Sequence, residues 1–111
     1  MPDAALKTLE TMLDVAASRH RILTSNIANA DTPGYRARDI SFQRELDKAL
    51  TSPQGKGNVT VFESAESLPN RDGNSVNLDL EMAKIAENTL IYNTATQLMA
   101  MKIRMMKDAV K

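Results

Sequence analysis

Apolar and small residues recur along the first part of the chain at Leu6, Leu9, Leu13, Ala16, His20, Leu23, Ile27 and Ala30, an unbroken alternation of three and four. That spacing predicts a helix from Asp3, a suitable N-cap, to Ala30, roughly 40 Å long at 1.5 Å per residue. Ala16, Ala17 and Ala28 would let a partner helix approach closely, while Lys7, Glu10, Arg19 and Arg21 mostly lie outside the stripe. The other end of the chain repeats the pattern at Leu78, Met82, Ile85, Thr89, Tyr92, Thr96, Met99, Ile103, Met106 and Val110. This second helix is expected to start near Asn77, with Asp79 and Glu81 at its positive end, and to run to the C-terminus. Leu98, Met101 and Met105 widen its stripe beyond a two-helix seam, so it should touch more than one partner helix. The fold class that follows is mainly α, with two long terminal helices paired as an antiparallel coiled coil. Its assembly seam is expected at Leu13, Leu23, Ile27, Ile85, Tyr92, Met99, Ile103 and Met106.

The middle does not keep a helical period. Asp31-Thr32-Pro33-Gly34 must break the first helix, since Pro33 biases Thr32 away from helical angles and Gly34 tolerates positive φ. Pro33 and Gly34 therefore read as a corner from which Tyr35 to Phe42 leaves extended. Phe42, Leu46, Ala49 and Leu50 are spaced for a short helix; residues 51–58, with one Pro and two Gly, read as a loop. Val59-Thr60-Val61-Phe62 is the one strand-like run, and a lone strand needs a neighbour, either the Arg36 to Ser41 segment or another subunit. Residues 67–75 return to turn chemistry. The expected organisation is one domain over residues 1–111: helix 3–30, corner, arm and loops 31–76, helix 77–111.

Composition narrows the function classes. The chain has 111 residues, 42% hydrophobic but only 4% aromatic, which suits helix seams better than a pocketed enzyme core. Fourteen basic residues balance fourteen acidic ones, so no net field favours nucleic acid, and a neutral chain can self-associate. Without cysteine there is no disulfide or thiolate chemistry, and the lone His20 cannot build a zinc site unaided; it reads as a polar seam position. No apolar run approaches the roughly 20 residues of a membrane span, and no secretory signal opens the chain. Lys102, Arg104, Lys107 and Lys111 suit the negative end of the second helix. Five of the seven methionines lie between Met82 and Met106, where flexible thioethers can adapt to non-identical neighbours. No nucleophile and base stand in a recognisable arrangement, and no glycine-rich phosphate loop is present. The expectation is no enzyme activity, no cofactor, no metal and no small-molecule substrate.

The run Asn26-Ile27-Ala28-Asn29-Ala30-Asp31-Thr32-Pro33-Gly34-Tyr35 resembles the N-terminal signature of bacterial flagellar axial proteins, and Arg38-Asp39-Ile40-x-Phe42 is similar to the version in proximal-rod members. Asn74 to Glu81 and Ala86-Glu87-Asn88-Thr89-Leu90-x-Tyr92 resemble the start of that family's C-terminal helix. The middle, residues 43–73, looks shorter than is usual there, and Asn77 replaces a more typical Asp. The resemblance implies a structural part of the flagellar basal-body rod, exported through the flagellar type III apparatus without cleavage and assembled in the periplasm. Its implied partners are copies of itself, other rod proteins, and membrane-ring or export-gate components. Phe42-Gln43-Arg44-Glu45-Leu46 is similar to the Phe-x-x-x-apolar gate-recognition motif of early flagellar substrates, while Phe42 and Leu46 four apart also suit a plain packed pair. Periodicity alone fits a cytoplasmic helical adaptor or chaperone-like dimer equally; the Pro-Gly corner and extended arm are what such an adaptor would not need.

Overall fold

A computed structural model of the chain describes residues 4–51, 59–64 and 68–110. Helix α1 spans Ala4–Ala28, strand β1 Arg38–Ile40, helix α2 Phe42–Thr51, strand β2 Val61–Glu63 and helix α3 Leu78–Ala109. The expected Asp3 cap, most of the loop at 51–58 and the final Lys111 lie outside the described residues. The two long helices lie alongside each other in opposite directions, Ala16 facing Asn88 and Asn26 facing Glu81, and the molecule is drawn out to 63 × 26 × 17 Å.

Each boundary has a local cause. α1 stops at Ala28, two residues short of the expected end, and the chain rolls through turns closed by Thr32 N–H to Asn29 O (3.1 Å) and Tyr35 N–H to Thr32 O (3.2 Å). α3 starts where Asn77 was expected to cap, its side chain accepting from Leu80 N–H at 3.1 Å, with Asp79 and Glu81 in the first turn. α2 opens with Ser41 Oγ accepting from Arg44 N–H at 3.2 Å. The strand-like run does find the extended arm: β2 pairs antiparallel with β1, Asp39 opposite Phe62 and Ile40 opposite Val61, starting two residues and ending one residue later than the expected Val59 to Phe62. Glu45 on α2 anchors the start of that run by accepting from Thr60 N–H at 3.2 Å.

The contact between α1 and α3 is not the apolar row that periodicity suggests. Its fully buried line is Ala16 and Leu23 against Glu81, Asn88 and Ala95. Asn88 donates to the backbone oxygen of Ala16 at 2.7 Å, which a larger side chain at residue 16 would prevent. Arg19, expected outside the stripe, is buried, and His20, expected on the seam, is exposed. The reason is the arm. β1 packs on α1 and brings Asp39 beside Arg19, so the helix pair turns its polar flank inward to meet it. Arg19 grips Asp39 with Nε to Oδ1 at 2.9 Å and Nη2 to Oδ2 at 3.0 Å, and reaches Glu87 of α3 with Nη1 at 2.9 Å. Lys84 of α3 approaches Asp39 at 3.5 Å and donates to Ser64 Oγ at 3.2 Å.

Burial alone would push the Asp39 carboxyl up, but hydrogen bonds from Arg19 and from Ile40 N–H, with the charges of Arg19 and Lys84, outweigh it and hold the group below its ordinary value. Burial likewise opposes the Arg19 charge, and its bonds to Asp39 and Glu87 restore it and more. A lowered folded pKa means that the unfolded chain takes up the proton first as pH falls. The stabilisation by Asp39 is therefore complete above about pH 4 and is lost as pH drops through the folded value. Asp39→Asn should cost roughly 3 kcal/mol at neutral pH by stranding buried Arg19 on Glu87 alone, and should flatten the acid part of the profile. Urea unfolding followed by circular dichroism at neutral and acid pH measures both; a wild-type midpoint for the variant at neutral pH would refute the assignment.

Candidate assembly surfaces

The corner is built from two glycines, the amide side chains of Asn26 and Asn74, and Ser75. Gly34 has φ +77° and Gly73 φ +82°, both left-handed, and a Cβ on Gly73 would sit 3.4 Å from the Gly34 Cα. Gly34 N–H donates to Asp72 O at 2.8 Å, so the turn after α1 is stitched to the turn before α3. Pro33 beside it is exposed and marks the break. Asn74 is buried and donates to the carbonyls of Asn29 and Thr32, at 2.9 and 2.7 Å, satisfying the end of α1 while its own Oδ1 accepts from Val76 N–H. Asn26 does the work of a missing strand. Its Oδ1 accepts from Arg38 N–H at 3.0 Å and its Nδ2 donates to Arg38 O at 2.7 Å, pairing the edge of β1 that β2 leaves free. It also receives the Tyr35 hydroxyl at 3.0 Å and donates to Glu81 Oε1 at 2.7 Å. Ser75 completes the clamp, its Oγ accepting from Ala37 N–H and its N–H donating to Tyr35 O.

Of the residues expected on the assembly seam, the structure buries only Leu23 fully between the helices. Leu13, Ile27, Ile85 and Met99 are half-buried; Tyr92, Ile103 and Met106 are exposed. Helical geometry explains the split. Arg19 and Asn26 point toward β1, and Lys84 toward Ser64. One residue later, a rotation of about 100°, come His20, Ile27 and Ile85, which turn to the side of the pair away from the sheet. Seven-residue steps then align Leu6, Leu13, His20 and Ile27 on α1, and Leu78, Ile85, Tyr92, Met99 and Met106 on α3. Neither row contains an Asp, Glu, Lys or Arg in a chain that is 25% charged. Toward the far end, Ala5, Thr8 and Leu9 of α1 and Leu98, Met101, Lys102 and Met105 of α3 line a shallow groove of about 440 Å³. Phe42 and Leu46 are half-buried on α2, which packs against α1.

Sequence reasoning missed the polar row at Arg19, Asn26, Asp39, Glu81, Lys84 and Asn88. A signal was there, since Arg19 with Asn26 and Glu81 with Asn88 and Ala95 recur every seven residues, but polar periodicity is ordinarily the mark of a solvated face. Among the described residues, Glu81 Oε2 and Asn88 Oδ1 are buried without a hydrogen-bond partner. No group of three or more His, Cys, Asp or Glu side chains suited to a metal occurs among them, and no helix of theirs is long and apolar enough to cross a membrane.

A family model described as "Flagella basal body rod protein" matches residues 6–36, from α1 through the corner. The flagellar basal body rod protein FlgB of Cereibacter sphaeroides is 39% identical over 111 residues, covering 85% of this chain and 84% of that one. FlgB of Salmonella typhimurium is 35% identical over 130 residues, covering 98% and 94%, and FlgB of Escherichia coli is 32% identical with the same coverage. An alignment of 130 residues over a chain of 111 means that these relatives carry residues this one lacks. With identity at this level over nearly its whole length, the chain belongs to the FlgB family of flagellar basal body rod proteins.

Proposed function

We propose that this chain is a structural, non-enzymatic subunit of the flagellar basal body rod, in its proximal part, and that it joins copies of itself, other rod proteins and the membrane-ring or export-gate components through the uncharged side of its helix pair. The observation that carries this reading is the pairing of near full-length identity to FlgB proteins with a helix face free of formal charge along the length of the pair. A face of that kind is stable only when covered. Leu13 and Ile27 of α1 with Ile85, Tyr92, Met99, Ile103 and Met106 of α3 form it, and Leu23 supports it from below. The corner at Pro33 and Gly34 sets the angle at which the arm leaves, and so the position of the sheet relative to that face. The chain reaches the periplasm unfolded, through the flagellar type III apparatus. Phe42 and Leu46 are recognised in that state, because folding half-buries them against the body of the protein.

Three measurements test this. Ile27→Asp and Ile103→Asp each trade about 1.5 to 3 kcal/mol of apolar burial at an interface for a charge to be desolvated. Both variants should be secreted normally yet leave cells without rods and non-motile, while Lys7→Asp on the outer side should swim. Loss of secretion would point instead to a folded cytoplasmic adaptor. A Cβ at Gly34 would meet no atom within 4 Å, so the cost of Gly34→Val is set by the backbone strain of its positive φ, of order 1 to 3 kcal/mol; assembly should fail while Thr32→Ser, which keeps the hydroxyl bonded to Asn29, assembles. For export, Phe42→Ala in a strain unable to build rods should lower the secreted amount, and unchanged secretion would leave Phe42 as a packing residue.

A further inference from the structure

The sulfur chemistry of the chain is confined to thioethers. There is no cysteine, and the seven methionines are unevenly placed. Met82, Met101, Met105 and Met106 all project from α3 with exposures between 39% and 63%, whereas Met12 and Met99 are half-buried. Among the described methionines, three of the four exposed ones fall within six residues, and Met101 and Met105 stand one turn apart beside Leu98 on the wall of the apolar groove. Ionised side chains do not replace them there: apart from Lys102 the groove wall is apolar or small.

We propose that Met101, Met105 and Met106 form an oxidation-sensitive site that takes a peroxide or hypochlorous acid as oxidant and, once oxidised, blocks assembly of the subunit. This rests on the reading of α3 as an assembly surface. The thioether sulfur attacks one oxygen of hydrogen peroxide, the S–O bond forms as the O–O bond breaks, and the sulfur gives up two electrons; the other oxygen leaves as hydroxide, takes the proton from the transferred oxygen and departs as water. The product is a sulfoxide, larger and strongly hydrogen-bond accepting, where an apolar chain had been. Burying that oxygen against a neighbouring helix without a donor is unfavourable, so an oxidised subunit is excluded while a docked one has its sulfurs shielded. A dithiol-dependent sulfoxide reductase restores the thioether, so the block is reversible.

Two experiments separate the chemistry from the assembly role. The purified full chain is treated with hydrogen peroxide and digested, and oxidation is timed at each methionine by mass spectrometry. Met101, Met105 and Met106 should oxidise several-fold faster than Met12 and Met99, and equal rates would overturn the site. In cells, Met101→Gln with Met105→Gln and Met106→Gln mimics the polar product, and Leu at the same three positions cannot be oxidised. The Leu chain should build rods and keep doing so under sublethal peroxide that reduces rod number in wild type, and the Gln chain should be secreted without building rods. Normal rods from the Gln chain would overturn the block. If the Leu chain is secreted and builds none, an apolar side chain at these positions is not enough for assembly and the block as argued is overturned, while the peroxide rates from the purified chain would stand.

Discussion

A carboxylate enclosed between packed elements has to be met by positive charge and by directed donors, and Asp39 is the place where this chain satisfies that requirement. Arg19 comes from α1, Lys84 from α3, and the Ile40 N–H from the arm itself, so the one group fixes three elements at once. Replace that contact by two apolar rows and the helices would pair by their greasiest faces. With it in place Arg19 and Lys84 turn in toward the sheet, and the apolar rows are left half-buried or exposed on the other side. Among the described residues the buried hydrophobic set is small, Val15, Ala16, Leu23, Ala37, Ile40 and Ala95, as befits a helix pair organised around polar groups. Such a pair is specific in register and modest in stability, because a buried ion pair roughly repays its desolvation and little more.

This explains what could and could not be read from residues alone. Both long helices, the Asn77 cap, the break at Pro33 and Gly34, the short helix at Phe42 and the strand near Val61 each have a local cause, and each stands within a few residues of its expected place. The orientation of the helices about their own axes does not. It depends on Asp39 meeting Arg19 across twenty residues of chain, a non-local contact that periodicity cannot see. Periodicity found the apolar rows correctly and took them for the contact within the chain. His20, placed on the seam by its position in the row, is exposed, while its row neighbours Leu13 and Ile27 are half-buried.

The division of labour between the two sides of the helix pair has an energetic logic. Hydrogen bonds to Asn26, Asn74 and Asn88 are directional and tolerate no slip, which suits a contact that must form the same way in every copy. Apolar rows of Met, Ile and Leu are forgiving in geometry, which suits contacts between neighbours that differ in detail. Fixing the internal geometry with polar groups leaves much of the aliphatic surface of α3 available outside, as at Met82, Leu90, Met101, Ile103 and Met105.

The Asn26 amide has a consequence for the order in which the molecule closes. Its partners Tyr35 and Arg38 lie nine and twelve residues away, whereas Glu81 lies fifty-five away. Ring closure over a dozen residues costs less entropy than closure over several dozen, so the hook formed by the end of α1 and the arm can shut while α3 is still unattached. In that half-built state one amide hydrogen of Asn26 is still unclaimed and points to where Glu81 will land. The second helix therefore meets a finished template, and a single carboxylate on it reads the register before any of the long rows have met.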